Sequence, residues 1–286
     1  AGKSTLNRLE LSDGSPSRYK KITFWKDGLD ELLVQVFLES SATAPEEIVL
    51  DVDATDFPLH GEQEGRFFHG YYDSYCYLPL YIFCGDQLLC ARLRQSNSDA
   101  AAGSLAEIQR IVAQIRAAWP KVRIVLRGDS GFCRNELMSW CEHNGVDYVF
   151  GLARNQRLRR IIGPQMGEAT RQWGQTGKPA RVFGEFSYRT KKRKNKQGKP
   201  GGWDRERRVV AKAEHIDGKE NPRFVVTSLS AETWAAQTLY EKLYCARGEM
   251  ENRIKEQLSL FADRVSAETM RADQLRMYFS AMAYVL

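Results

Sequence analysis

The stretch Ile48-Val49-Leu50-Asp51-Val52-Asp53-Ala54-Thr55-Asp56 constrains this chain more than any other. Ile48, Leu50 and Val52 alternate onto one face of an extended strand, while Val49, Asp51 and Asp53 share the other. Carboxylates beside a β-branched strand are costly to bury unless positive charge meets them. A divalent metal ion is one source of that charge, and a buried Arg or Lys is another. A plainer reading is a strand-end turn, because Asp and Thr favour such positions. Taken alone, the stretch fits the turn better, and the remainder of the chain decides the matter.

With 286 residues the chain can bury a core as one large domain or two smaller ones. Cys76, Cys84, Cys90, Cys133, Cys141 and Cys245 include no C-x-x-C, and the four histidines complete no zinc pattern. His60 and His69, nine residues apart around a polar loop, have no ligand spacing. Reduced thiols of a cytosolic protein are expected. No apolar run reaches membrane length and no secretory signal is present, so no membrane partner is expected. Ala1 is not an initiator Met, and Tyr284-Val285-Leu286 falls inside an apolar helical pattern, as expected of part of a longer protein.

The net charge of +6 is unevenly spread. Residues 151–213 hold eighteen Lys/Arg against four Asp/Glu, and the rest of the chain is acidic on balance. A basic segment on an acidic body points to a polyanion partner. The tip Lys191-Lys192-Arg193-Lys194-Asn195-Lys196 is dense enough in charge to be simply a solvated run.

Along the chain, Phe24–Glu39 is predicted as an amphipathic helix with Leu29, Leu32, Leu33, Val36 and Phe37 on one face. After the opening strand, Tyr75–Phe83 and Gln87–Arg94 read as a hairpin around Cys84-Gly85-Asp86. A helix capped by Ser98 or Asp99 runs to Trp119, before Pro120. Val122–Leu126 is a continuous apolar strand leading into Arg127-Gly128-Asp129-Ser130-Gly131-Phe132. Gly-Asp-Ser-Gly also surrounds the nucleophile of chymotrypsin-like proteases, but those are all-β and carry another Gly where Phe132 stands. What remains is a carboxylate at the C-terminal end of a central strand, where open α/β sheets place their chemistry. Asp129 as the cap of a helix over Asn135–His143 is the structural alternative.

Gly145–Gly151 reads as a fifth strand. The basic segment adds strand-like runs at 181–190, 207–213 and 223–229, with Trp173 and Trp203 as core aromatics or base-stacking groups. Thr233–Phe261 is predicted as one long helix, with Leu239, Leu243, Ala246, Met250, Ile254 and Phe261 in an apolar stripe. On its neighbouring stripe Glu251 lies four residues from both Arg247 and Lys255, an arrangement that surface ion pairing alone explains. The element order predicts an α/β fold: a ribonuclease-H-like mixed sheet flanked by helices, with an inserted, mainly β, basic subdomain before the last catalytic helix. Residues 1–46 would form a truncated helical segment and 47–151 the first part of the core. The insertion would cover 152–230, and 231–286 would complete the core with the Glu helix and a truncated C-terminal helix.

Leu50-Asp51-Val52-Asp53-Ala54-Thr55 followed by His60-Gly61, Arg127-Gly128-Asp129-Ser130-Gly131-Phe132, and the segment Tyr244–Lys255 together resemble the DDE transposases of the IS4-related insertion-sequence group. The IS1380-type family is the nearest. Tyr244, Arg247 and Glu251 match the group's Tyr-x2-Arg-x3-Glu signature. The resemblance implies a catalytic, metal-binding triad of Asp53, Asp129 and Glu251. Asp53 is preferred to Asp51 because the first motif is Asp-x-Thr and Thr55 follows Asp53. Three carboxylates without Cys or His suit Mg2+ or Mn2+, as two ions about 4 Å apart. Tyr244 and Arg247 would contact backbone phosphate. The signature Lys falls seven residues after the Glu, which is Leu258 here, and Lys255 lies one turn earlier. Lys191, Lys192, Arg193, Lys194 and Lys196 would grip DNA. The implied activity is cleavage at transposon ends and strand transfer into target DNA, by a homodimer in a synaptic complex in the bacterial cytoplasm at the nucleoid. A metal-dependent nuclease without strand transfer, or an inactive remnant that only binds DNA, are the alternatives.

Overall fold

The structure is a computed structural model and describes residues 24–191, 193–194, 200–261 and 267–286. It divides into two compact units, one comprising the chain up to Val122 with Glu249–Leu286, the other Arg123–Gly248. Among the described residues no helix is long and apolar enough to cross a membrane. All six cysteines are free thiols.

In the first unit a helix, Lys26–Glu39 (α1), precedes the strand Glu47–Ala54 (β1). The expected alternation in β1 holds: Ile48, Leu50 and Val52 are buried. The buried face of α1 is rotated from the expected one and consists of Asp30, Leu33, Val34 and Phe37. Asp30 is tolerated there because Arg92 donates to it at 2.5 Å and the Tyr278 hydroxyl at 2.8 Å.

Two short strands follow, Phe57–Pro58 (β2) and Phe67–His69 (β3). The run 75–83, expected as one strand, is broken into Ser74–Tyr77 (β4) and Leu80–Cys84 (β5). Pro79 lies at the break and has no N–H for a ladder. Accordingly β4 pairs with β2 and β3 in a small separate sheet, and β5 pairs with β1. The expected hairpin forms between β5 and Gln87–Arg92 (β6), with Gly85 in the left-handed region its turn requires. The next helix, Ser104–Ala118 (α2), begins later than expected. The Asp99 carboxylate instead accepts from the Ala101 amide in a local turn, and Gly103, at φ 73°, holds the chain out of helix until Ser104.

The second unit opens with Arg123–Gly128 (β7), followed by Asn135–His143 (α3) and Asp147–Leu152 (β8), parallel to β7. Two helices that patterning did not reveal come next, Gln156–Ile161 (α4) and Gly163–Thr176 (α5). The Asn155 side chain caps α4 by accepting from the Leu158 amide. Pro164 opens α5, and Gly177, at φ 62°, closes it. The expected strands of the basic segment form as Ala180–Tyr188 (β9), Arg207–Ile216 (β12) and Arg223–Thr227 (β14). Between them lie Arg193–Lys194 (β10) paired with Pro200–Gly201 (β11), and Lys219–Glu220 (β13). Antiparallel pairing of β14 with β8 and of β12 with β14 and β9 makes this a mixed sheet, which α5 covers. Trp203 is buried, with the Arg207 guanidinium over its ring, and Trp173 stacks on His215. Arg207, itself buried, holds Glu142 of α3 through two hydrogen bonds of 2.6 and 3.0 Å.

The helix expected over 233–261 is not continuous. It divides into Ala236–Thr238 (α6), a π-helical turn at Leu239–Tyr244, a 3₁₀ turn at Cys245–Arg247 and Gly248–Phe261 (α7). Its apolar stripe serves two cores: Leu239, Tyr240 and Leu243 are buried in the second unit, Met250 and Ile254 in the first. The winding changes between the two sets, beside Gly248, a weak helix former. The last helix, Met270–Val285 (α8), covers the edge of β6, where Gln274 accepts from the Leu93 amide and donates to the Ala91 carbonyl.

Candidate active site

The two strands expected to deliver carboxylates do so at their C-terminal ends. Asp53 is the penultimate residue of β1, half-buried, with the Ala54 amide donating to Oδ1 at 2.9 Å. Asp51 is buried opposite Phe83. Asp129 directly follows β7. The Gly131 amide donates to its Oδ1 at 2.7 Å, which fixes the carboxylate at the strand end. It does not cap the following helix: α3 starts six residues later and has no side-chain cap.

Asp129 lines a cavity of 470 Å3 with Arg154, Arg223, Tyr240, Tyr244 and Arg247. Strand register explains the gathering. Gly128 pairs with Phe150, and Leu152 pairs with Phe224, so the ends of β7 and β8 and the start of β14 share one sheet edge. Tyr244 and Arg247 arrive from the π-helical and 3₁₀ turns. The buried Arg127 straps that segment down, donating to the Leu243 carbonyl at 2.6 Å. Gly151 lets Tyr244 close. A Cβ there would stand 2.6 Å from the Tyr244 hydroxyl and 2.9 Å from the Ser130 amide nitrogen. Burial raises the Tyr244 phenol above its usual pKa, with Arg247 opposing and Asp129 adding to the rise. The hydroxyl therefore stays protonated and able to donate.

Glu251 and Lys255 lie on the exposed face of α7. The opposite face is anchored by Met250, Ile254 and the buried Gln257, which accepts from the Tyr81 hydroxyl and donates to Ser280. Because a 3₁₀ turn ends at Arg247, the regular four-residue spacing from Arg247 to Glu251 does not describe this segment. Asp53 and Glu251 belong to the first unit, Asp129 to the second. In the basic tip Lys191 is exposed and Arg193 and Lys194 form the short strand β10. Lys192 and Lys196 lie outside the described residues.

Residue by residue, the structure gathers Asp129, Tyr244 and Arg247 at one cavity, and adds Arg154 and Arg223, which sequence reasoning missed. Arg223 opens a run read as a strand, but only the pairing of β8 with β14 brings it to Arg154. Hard oxygen donors at Asp53, Asp129 and Glu251 suit a divalent cation in chemistry. Among the described residues, however, no three His, Cys, Asp or Glu side chains stand together as a metal group.

The cavity thus sets a carboxylate fixed at a strand end beside arginines and a phenol. Comparison with known proteins supplies the family. The profile of the family described as "Transposase DDE domain group 1" matches residues 1–286, and the chain belongs to that family. Transposases of this kind generally use divalent metal ions. No curated protein matches the chain. Among solved structures it is similar to piggyBac transposase in a synaptic complex with hairpin DNA, at 10% identity and a TM-score of 0.45. The match covers 85% of this chain and 46% of that one.

Proposed function

We propose that the chain is the catalytic part of a DNA transposase. It would cut DNA at transposon ends and join the freed strand to target DNA. The observation that carries this reading is the cavity in which Asp129, at the end of β7, meets the Tyr244 and Arg247 of the Tyr-x2-Arg-x3-Glu segment. A ribonuclease-H-like core is the layout this reading assigns to β1, β5, β6, β7 and β8, with residues 152–230 as the basic insertion. The finer kinship is to the IS1380-type transposases.

Asp53, Asp129 and Glu251 would hold Mg2+ or Mn2+, in our reading two ions. The ions would supply charge to the attacking and leaving oxygens of phosphoryl transfer. In the first step water attacks a phosphodiester phosphorus, the P–O3′ bond breaks and a 3′-hydroxyl is left. In the second that hydroxyl attacks a target phosphodiester, forming one P–O bond as another breaks and expelling a second 3′-hydroxyl. Arg247 pairs with a phosphate oxygen and the Tyr244 hydroxyl donates to one, so both hold the ester beside Asp129. The basic tip, Lys191 to Lys196, adds phosphate contacts. A homodimer on paired DNA ends, in the bacterial cytoplasm, completes the proposal.

The test incubates the intact chain with Mg2+ or Mn2+, a pool of random-sequence duplexes with 3′-hydroxyl ends, and supercoiled plasmid. Metal-dependent nicking and joined products are expected. Asp129→Asn should abolish both while DNA binding persists. Nicking without joined products would favour a nuclease, and equal nicking by Asp129→Asn would overturn the triad. DNA binding with no nicking would mark a remnant.

A further inference from the structure

We propose that Arg154 and Arg223 form a second phosphate clamp, holding a phosphodiester of the DNA strand at the Asp129 cavity together with Arg247. This rests on the transposase reading and names the groups by which that site grips its substrate. The two residues come from different elements. Arg154 follows β8 by two positions, and Arg223 is the first residue of β14. Since Leu152 pairs with Phe224, the antiparallel register brings them to one end of adjacent strands. Both line the cavity that holds Asp129, and both are exposed.

Neither makes an ion pair or a side-chain hydrogen bond among the described residues. Elsewhere in this unit arginines are engaged: Arg207 with Glu142, Arg181 with Glu214, Arg208 with Glu185. Two unengaged guanidiniums brought to one cavity from neighbouring strands are an arrangement that accepts an oxyanion. The anion also has to tolerate Asp129. A phosphate brought beside a carboxylate is repelled, and positive charge from more than one direction offsets the repulsion. Arg247 brings charge from the 3₁₀ turn, and Arg154 and Arg223 bring it from the strand ends.

The experiment titrates a fluorescein-labelled random-sequence duplex with the intact chain at several KCl concentrations. It compares wild type, Arg154→Gln, Arg223→Gln, the double variant and Lys191→Gln. Each lost phosphate contact lowers the slope of log K against log salt by roughly 0.9, so about one is expected for each single clamp variant and about two for the double. Thermal melting should be unchanged, because both side chains are exposed; a purely structural role would lower it and leave the slope alone. The same preparations are assayed for Mn2+-supported nicking. A double variant with the wild-type slope overturns the clamp, and if wild type still nicks, the transposase reading stands without it. A reduced slope without wild-type nicking supports the clamp and removes the enzyme reading. A wild type that neither binds nor nicks overturns both.

Discussion

Replacing Gly151 by alanine tests the site through one added methyl group. Its Cβ would stand 2.6 Å from the Tyr244 hydroxyl, 2.9 Å from the Ser130 amide nitrogen and 3.2 Å from the Asp129 carbonyl carbon. Ordinary contact begins near 3.4 Å, so relief requires about 0.8 Å from the hydroxyl and about 0.5 Å from the Asp129–Ser130 backbone, or a shift of β8 away from both. Overpacking of this kind costs roughly 1–3 kcal/mol, readable as a lower urea midpoint. The same displacement falls on the groups that hold the ester, and a misplacement near 1 Å costs on the order of 100-fold in rate. A double-mutant cycle with Tyr244→Phe separates the two routes. If the ring gives way, removing its hydroxyl relieves Gly151→Ala by about 1 kcal/mol. Fully additive stabilities would place the strain on the backbone instead. A Gly151→Ala protein with wild-type stability and nicking would refute the close approach of Tyr244 and Ser130 to Gly151.

Three further outcomes are expected. Arg127→Met leaves the Leu243 carbonyl without its charged donor and should cost roughly 2–3 kcal/mol in urea unfolding, with nicking falling further than stability alone explains. Arg92→Met leaves the buried Asp30 carboxylate with the Tyr278 hydroxyl but no ion-pair partner, Glu107 keeping Arg110, and should cost about 3 kcal/mol, a loss that a variant with wild-type stability would disprove. Neutralising Lys191, Lys192, Arg193, Lys194 and Lys196 should weaken DNA binding and flatten its salt dependence, and an unchanged slope would mean that the tip is only solvated.

β1 and β7 with their carboxylates are legible in the sequence, because an apolar strand closing on Asp is a local pattern. Its failures have physical causes. Pro79 split a strand that apolar content alone would run together. The caps of α4 and α5, Asn155, Pro164 and Gly177, are present in the sequence, but α4 is short and basic and α5 is polar, with few apolar residues to mark a buried face. The apolar stripe from Leu239 to Ile254 was seen correctly, yet the stripe cannot tell that its two ends serve different cores, and so the π-helical and 3₁₀ turns were missed. Asp30 and Gln257 were unreadable for a similar reason, since the partners that make them tolerable, Arg92 and Tyr81, lie far away in sequence. At the site, Asp129, Tyr244 and Arg247 were reached by motif, whereas Arg154, Arg223 and Gly151 emerge only when β8 and β14 are paired.

The central claim is that Asp53, Asp129 and Glu251 share bound cations. Loading the DNA-bound protein with Fe2+ in place of Mg2+, then adding ascorbate and peroxide, cuts the polypeptide wherever the backbone approaches the ion. The account predicts cuts near all three residues, suppressed by excess Mg2+ and lost in Asp129→Asn. Cuts confined to one of the three regions, or a pattern that Mg2+ does not suppress, would contradict it.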